Sequence, residues 1–314
     1  MSAFERFIAS ASTMAARVDA LLLALLLLSA VTVAGVVLTI AFFCVRYRRG
    51  SAASREPVPT RSAALETLWI GAPLALFFAI FLWAAWLYAA LWSPPRDALQ
   101  IAIVAKQWMW KAQHPGGQRE INELHVPLGQ PVRLAMTSQD VIHSFYVPAF
   151  RVKQDVLPGR YTSLWFEPTR EGEFALLCAE FCGTGHSRMT GRIVVLAPED
   201  YQAWLDARPA TASMAAQGAE LFRAYGCSGC HGAARTVQAP HLAGLWGREE
   251  ALEGGGRVTV DADYVRESIL YPSRKVAAGY APIMPSYAGQ LDEEQILRLI
   301  AYVRALGQEQ EEAP

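Results

Sequence analysis

Two uncharged apolar segments constrain this chain more than any other feature. Leu21 to Val45 is dominated by Leu, Val and Ala, and Thr67 to Trp92 by Leu, Phe, Ala and Trp. Each exceeds the roughly 20 residues that a helix needs to cross a bilayer. In hydrocarbon, a helix is the one single-segment structure that satisfies its own backbone. A signal peptide fits the first segment poorly, because its apolar run is longer than the usual ~7–15 residues and a mixed stretch precedes it. Arg46, Arg48, Arg49, Arg55 and Arg61 crowd the stretch between the spans, with Glu56 as its one acid. The positive-inside rule therefore places the loop near 46–64 in the cytoplasm and both termini outside. Trp83, Trp86, Tyr88 and Trp92 form an interfacial belt toward the outer end of the second helix. The expected hairpin spans 21–94, after an extracytoplasmic N-terminal segment, 1–20.

With 314 residues the chain is long enough for two or three folded units. Its net charge of −1 carries no electrostatic signature of nucleic-acid binding. From about Pro95 to Leu196 the text is strand-like: "LQIAIVAKQWMW", "PVRLAMTS" and "GRIVVL" are rich in β-branched and aromatic residues. Turn signals such as "HPGG" and "LPGR" separate these runs, which predicts a small antiparallel sandwich or barrel. After "DARPATASMAAQ" the pattern turns helical. "AAQGAELFRAYGC" and "LDEEQILRLIAYVRAL" show apolar spacing near 3.6. Asp292 is placed as an N-cap, with Glu293 and Glu294 in the first turn. The expected boundaries are 95–205 for the β unit, 206–213 for a linker, 214–307 for the helical unit and 308–314 for a solvated tail.

Cys44 stands alone in the first apolar run and reads as a buried or lipid-facing thiol. The other four cysteines form two close pairs, Cys178/Cys182 and Cys227/Cys230, each with a histidine close behind it. That points to metal or haem chemistry beside the disulfide alternative. The first pair lies in "CAEFCGTGHSRM". Two cysteines four apart in an extended segment share a face and could bridge, but a disulfide leaves His186 and Met189 without a role. Structural zinc accepts Cys and His, but a thioether is not among its usual ligands. A copper chaperone of thioredoxin-like type also spaces two cysteines four apart, but its fold opens a helix right after them, where "GTGHSRMTG" reads as a loop. Cys182, His186 and Met189, with His143 of "DVIHSF" upstream, make the two-His, one-Cys, weak-Met set of an electron-transfer copper site. Cys178, on the same face, could share a second copper, and two bridging thiolates would spread the exchanged electron over both metals.

The stretch "DVIHSFYVPAFRVKQDVLPGR…CAEFCGTGHSRM" resembles the binuclear copper domain of cytochrome c oxidase subunit II, over roughly Glu66 to Leu196. The resemblance implies a cupredoxin-like Greek-key barrel holding the copper A pair. Cys178 and Cys182 would bridge it, His143 and His186 would be terminal imidazoles, Met189 a weak axial ligand and Glu180 a ligand through its backbone carbonyl. In the family the side chain of this glutamate also helps hold a magnesium ion at the interface with subunit I. "KQWMWK" resembles the family's Q-W-x-W stretch, which makes Trp108 the point of electron input; the alternative is that both tryptophans simply pack. "LETLW" resembles a family E-x-x-W motif, which puts Glu66 at the mouth of a proton path into subunit I. An acid favoured at a helix N-terminus accounts for Glu66 equally well.

"GCSGCH" is C-x-x-C-H, the attachment motif of c-type haem, with Cys227 and Cys230 as thioether positions and His231 as proximal ligand. "YAPIMPSYAG" supplies Met284, the one methionine downstream, and His241 is the rival sixth ligand. "GLWGR" and "APHL" also resemble a class I cytochrome c, over roughly Met214 to Gly307. In that family a proline carbonyl bonds the proximal imidazole, and Pro240 matches it. His/Met ligation raises a haem potential, which suits delivery to copper.

Together these resemblances imply a multidomain membrane protein: a two-helix transmembrane hairpin, an all-β cupredoxin-like domain and an all-α cytochrome c domain. They imply the subunit II of a proton-pumping haem–copper cytochrome c oxidase in a bacterial inner membrane, with its C-terminal domains extracytoplasmic. It would relay electrons from haem c to copper A and on to subunit I, where oxygen is reduced. The expected partners are subunit I, subunit III, a cytochrome c or another periplasmic or membrane donor, and lipid. The alternative within redox enzymes is the electron-input subunit of a copper A-containing nitric oxide reductase. A short linker between the two exported units keeps the cytochrome near the copper lobe at the mM effective concentration typical of short flexible tethers.

Overall fold

Ser12 opens the first helix by accepting a hydrogen bond from the Ala15 amide while its own hydroxyl donates to Phe150 O at 2.9 Å. The computed structural model describes residues 9–55, 62–208, 212–232 and 239–308. Parts of the expected N-terminal segment, cytoplasmic loop, linker and tail lie outside the described residues. Glu56 and Arg61 lie there too. Helix α1 runs Thr13–Arg46, so it begins at Thr13 rather than at Leu21. Arg17 and Asp19 interrupt the apolar text, but each has a partner: Arg17 lies 5.5 Å over the Trp86 ring and Asp19 accepts from Arg151 Nε at 2.9 Å. Helix α2, Ala63–Leu91, is capped by Ser62 and carries Glu66 in its first turn and Pro73 inside. Both helices are long and apolar enough to cross a membrane, and they are almost wholly exposed in the single chain. Their apolar faces therefore suit contact with lipid or partner subunits.

The outer end of the hairpin is fastened to the domain that follows. The Ala11 amide donates to Ala149 O, the Thr13 amide to Glu167 O and the Thr169 amide to Ala11 O. Trp165 Nε1 donates to Ala90 O at 3.1 Å, which fixes the last turn of α2.

Ten strands follow: β1 (Leu99–Lys106), β2 (Met109–Gln113), β3 (Arg119–Ile121), β4 (Glu123–Pro127), β5 (Val132–Ser138), β6 (His143–Val147), β7 (Val152–Val156), β8 (Thr162–Phe166), β9 (Gly172–Cys178) and β10 (Thr190–Leu196). They form two five-stranded sheets, ordered β3-β2-β1-β5-β8 and β4-β10-β9-β6-β7. The β1/β5 and β4/β10 pairs are parallel and the others antiparallel. Alternation places Val132, Leu134 and Met136 inward on β5, as a period of two demands. They meet Trp110, Phe145, Phe150, Phe166 and Phe174 in one core.

Helix α3, Pro198–Asp206, closes this domain with Pro198 in its first turn. It covers a buried polar chain. His114 bonds Tyr201 Oη through Nδ1 and Glu120 through Nε2, both at 2.9 Å. Glu120 also bonds His125 Nδ1 at 2.5 Å, and Trp204 stacks on His125 at 4.5 Å. The last unit contains α4 (Met214–Ala224), α5 (Ser228–His231), β11 (Glu249–Ala251), β12 (Arg257–Thr259), α6 (Ala262–Leu270) and α7 (Glu293–Gln308). Asp292 and Gln295 cap α7 reciprocally, each side chain accepting from the other's amide. Gly218 lets α4 approach α7 closely: a Cβ there would lie 2.0 Å from Arg298 O.

The polar chain under α3 generates a pH prediction. Burial raises the Glu120 carboxyl, but bonds from His114 and His125 outweigh it and hold the group at about 2, below its ordinary 4.5. Stability from a depressed carboxyl is present above the unfolded value and is lost as pH falls through the folded one. Glu120→Gln should therefore cost on the order of 3 kcal/mol at pH 7. The gap from the parent should close between pH 4.5 and about 2. Denaturant unfolding followed by tryptophan fluorescence at several pH values checks this; a gap that stays constant with pH would contradict it.

Candidate copper and haem sites

Three pieces of chain converge at one end of the two-sheet domain. Strand β9 ends on Cys178, and the loop after it, with a 3-10 turn at His186–Arg188, carries Cys182, His186 and Met189. Strand β6 starts at His143 and runs antiparallel to β9, with Phe145 opposite Cys178. The Cys178 and Cys182 sulfurs lie 3.7 Å apart, and both cysteines are free; a disulfide would need ~2.05 Å. Cys182 Sγ is 3.5 Å from His186 Nδ1 and 3.7 Å from Met189 Sδ. An imidazole nitrogen of His143 and both sulfurs lie within 4.8 Å of one another. The Glu180 carbonyl is 3.3 Å from Cys178 Sγ.

These donors suit a soft or borderline metal such as copper, which takes thiolate, thioether and imidazole together. His143 gives an independent test. It is fully buried, its Nε2 bonds Asp140 at 2.8 Å, and its Nδ1 is buried with no hydrogen-bond partner. An unpaired buried polar atom costs about 1–3 kcal/mol, and a metal ion would satisfy this one. Metal-binding histidines commonly have their other ring nitrogen held by a carboxylate in this way.

The electrostatics agree with a cation between the sulfurs. Burial opposes ionisation of Cys178, but the neighbouring His143 imidazole and the backbone at Ser144 and Glu180 bring its thiol down to about 6. Burial and the neighbouring Cys178 push Cys182 up to about 12. The pair yields one proton readily and resists yielding the second, a charge conflict that a shared cation relieves. Burial lowers the His143 imidazolium, but Cys178 and Asp140 outweigh it and raise the group.

Trp108 lies against this loop. Its Nε1 donates to Cys182 O at 3.1 Å, beside Gln107 Nε2 at 2.7 Å on the same carbonyl. Gly185 permits the contact, since a Cβ there would lie 2.3 Å from the indole. Phe181, 74% exposed, and the exposed Val141 and Ile142 give the neighbourhood an apolar rim. Glu66 belongs to none of this: it is exposed on the first turn of α2. Asp140 and Gln107 were not singled out from the sequence. Asp140 could have been found, since it stands three residues before His143 in "QDVIH"; the Gln107 contact depends on the folded loop.

The second site is a mainly apolar cavity of about 220 Å³ in the last unit. Cys227, Cys230, His231, Pro240 and Met284 all line it. His231 Nδ1 lies 2.9 Å from Pro240 O, which leaves Nε2 free to face a metal. His241 is exposed and does not line this cavity. The thiols of Cys227 and Cys230 are free, so a prosthetic group with two attachment points, an imidazole and a thioether fits the donor set.

Comparisons with known proteins bear on the two domains that carry these sites. Residues 111–197 match the family model described as cytochrome C oxidase subunit II, periplasmic domain, and residues 215–307 match cytochrome c. The chain is 34% identical over 162 residues to the alternative cytochrome c oxidase subunit 2 of Bradyrhizobium diazoefficiens, covering 42% of this chain. It spans 58% of that relative's length. It is 28% identical over 304 residues to the cytochrome c oxidase subunit 2 of Alkalihalophilus pseudofirmus, covering 92% of this chain and 86% of the relative. A crystal structure of the periplasmic domain of subunit II of the Bradyrhizobium japonicum cytochrome oxidase is 32% identical, with a TM-score of 0.36. The match covers 37% of this chain and 96% of that one. A domain of the first family implies copper A, and one of the second implies haem. With its two long apolar helices, one polypeptide thus joins a periplasmic domain of the cytochrome c oxidase subunit II family to a cytochrome c domain.

Proposed function

We propose that this chain is the electron-input subunit of a haem–copper oxygen reductase in a bacterial inner membrane. It passes electrons from its own haem to a copper pair and on to a partner subunit I, where oxygen reduction drives proton pumping. The observation that carries this reading is the convergence of Cys178, Cys182, His186, Met189 and a buried, unpartnered His143 Nδ1. A copper pair and a covalent haem would supply reversible one-electron chemistry. The chain's own residues do the rest. Cys178 and Cys182 would be the shared thiolates that hold the pair, His143 and His186 its imidazole ligands and Met189 its weak thioether ligand, and Glu180 would offer its carbonyl. Asp140 holds the His143 ring, and the core around Met189 keeps water from one side of the site. Cys227 and Cys230 would attach the haem, and His231 and Met284 would hold its iron.

Two further roles belong to the same reading. Trp108 serves as the point of electron input, supported by its bond to Cys182 O. Glu66 serves at the mouth of a proton path into subunit I, supported by its position at the start of α2, at the opposite end of that helix from Trp165 and the β-domain.

Copper content and paramagnetic resonance check the ligand set. Cys182→Ser should abolish the delocalised mixed-valence signal and lower the copper content of the purified chain. A variant that keeps two coppers and an undisturbed signal would exclude Cys182 as a bridge. For Glu66→Gln, assembled enzyme should consume oxygen more slowly, while its haem c and copper are still reduced normally. Unchanged oxygen uptake would leave Glu66 as a helix-start acid.

A further inference from the structure

The cytochrome unit does not merely follow the β-domain in sequence; it packs against it. Ala102 and Val104 point out from β1 on the face away from the β-domain core. Both are buried, in one cluster with Met214, Phe222, Ile296 and Ile300 of the cytochrome unit. Around this apolar contact lie directional bonds. Lys111 Nζ on β2 meets Glu294 Oε1 at 2.8 Å. The turn between β7 and β8 is held from two sides: the Tyr161 amide donates to Asp263 at 2.9 Å, and Arg266 Nη1 donates to Gly159 O at 2.5 Å. Arg266 is itself buried and paired with Glu293. A buried ion pair with matched hydrogen bonds fixes geometry more than it adds stability, as a specific seat requires.

The gripped turn leads to the copper site. Val156, at the end of β7, is the cross-strand partner of His143. The next residue, Leu157, accepts from the Ser138 amide at 3.1 Å. Ser138 Oγ contacts Asp140 Oδ1 at 3.3 Å, and the same oxygen bonds His143 Nε2 at 2.8 Å. Asp140 Oδ2 accepts from the Gln107 amide at 2.7 Å, beside Trp108. A continuous set of bonds therefore joins the surface that the cytochrome unit grips to the ring that faces the sulfurs.

We propose that the cytochrome unit occupies a specific seat on the outer face of β1 and the β7–β8 turn, and that this seat positions His143 through Leu157, Ser138 and Asp140. The partner for this surface is the chain's own cytochrome unit: its Glu294 faces Lys111 on β2, and its Arg266, paired within the unit with Glu293, donates to Gly159 O. Lys111, Asp263 and Arg266 are positioning residues. The copper part of the proposal rests on the ligand reading given above; the seat does not.

Amide hydrogen exchange on the full chain in detergent tests the seat without any cofactor. Lys111→Glu alters a partly exposed side chain on β2, outside the β7–β8 turn. It should speed exchange of the Tyr161 amide about tenfold, the factor that corresponds to ~1.4 kcal/mol. Adding Glu294→Lys should restore most of the protection. Unchanged Tyr161 exchange in Lys111→Glu, or no rescue by the charge swap, would overturn the seat. The coupling is read on copper-loaded chain carrying Arg266→Gln, where the hyperfine pattern of the mixed-valence signal should shift at unchanged copper content. A faster Tyr161 amide with an unaltered copper signal would overturn the link to His143. A chain that binds no copper would overturn that link too, together with the ligand reading, and the exchange result would still decide the seat.

Discussion

Two sulfurs held 3.7 Å apart, not joined by a disulfide and close to a buried imidazole nitrogen with no hydrogen-bond partner, set the terms for the rest of this molecule. Left empty, such a cluster carries a desolvation cost and a conflict over the second thiol proton. A shared metal centre removes both. The loop from Cys178 to Met189 can hold this arrangement because β9 and β10 pair on either side of it, with Leu177 opposite Thr190. His143 reaches it from β6, the neighbouring strand of the same sheet. The opposite sheet contributes the wall: Gln107 and Trp108, just after β1, bond the Cys182 carbonyl. Both sheets are thus needed for one site, and the two-sheet architecture follows from that demand as much as from its core.

The same logic explains the ends of the chain. In the proposed complex, a domain that presents its copper loop to a membrane partner would have to be held at a fixed angle to the bilayer. Ser12, Asp19 and Ala90, near the ends of the two helices, meet Phe150, Arg151 and Trp165 of the β-domain and fasten it there. On the other side, the cytochrome unit is held by Lys111 and the β7–β8 turn. A seated unit fixes one distance between its redox site and the copper loop, whereas a free tether would sample many.

Local patterns were legible in the sequence. The spacing of Cys178, Cys182, His186 and Met189, and of Cys227, Cys230 and His231, lies within single short segments, so the text shows it directly. Asp292 as the cap of α7 was equally plain. His143 and Met284 are distant in sequence and were reached by completing donor sets, a second imidazole for the copper loop and the one methionine downstream of the C-x-x-C-H motif. What stayed hidden depends on tertiary contact. Arg17 and Asp19 broke the apolar run and masked the start of α1, because only the fold shows that Trp86 and Arg151 compensate them. His114, Glu120 and His125 share no local motif, and only the pairing of β2, β3 and β4 brings them together under Trp204. The seat of the cytochrome unit joins Tyr161 to Asp263, about a hundred residues apart, and no local pattern announces it.

The central claim is that one chain carries both the haem that receives an electron and the copper pair that takes it next. Rapid photochemical reduction of the haem in the purified, fully loaded chain tests it most directly, with haem and copper absorbance followed together. The account predicts that the haem reoxidises in a first-order step, in register with copper reduction, at a rate independent of chain concentration. Reoxidation whose rate rises in proportion to chain concentration, or a haem that stays reduced while the copper stays oxidised, would contradict it.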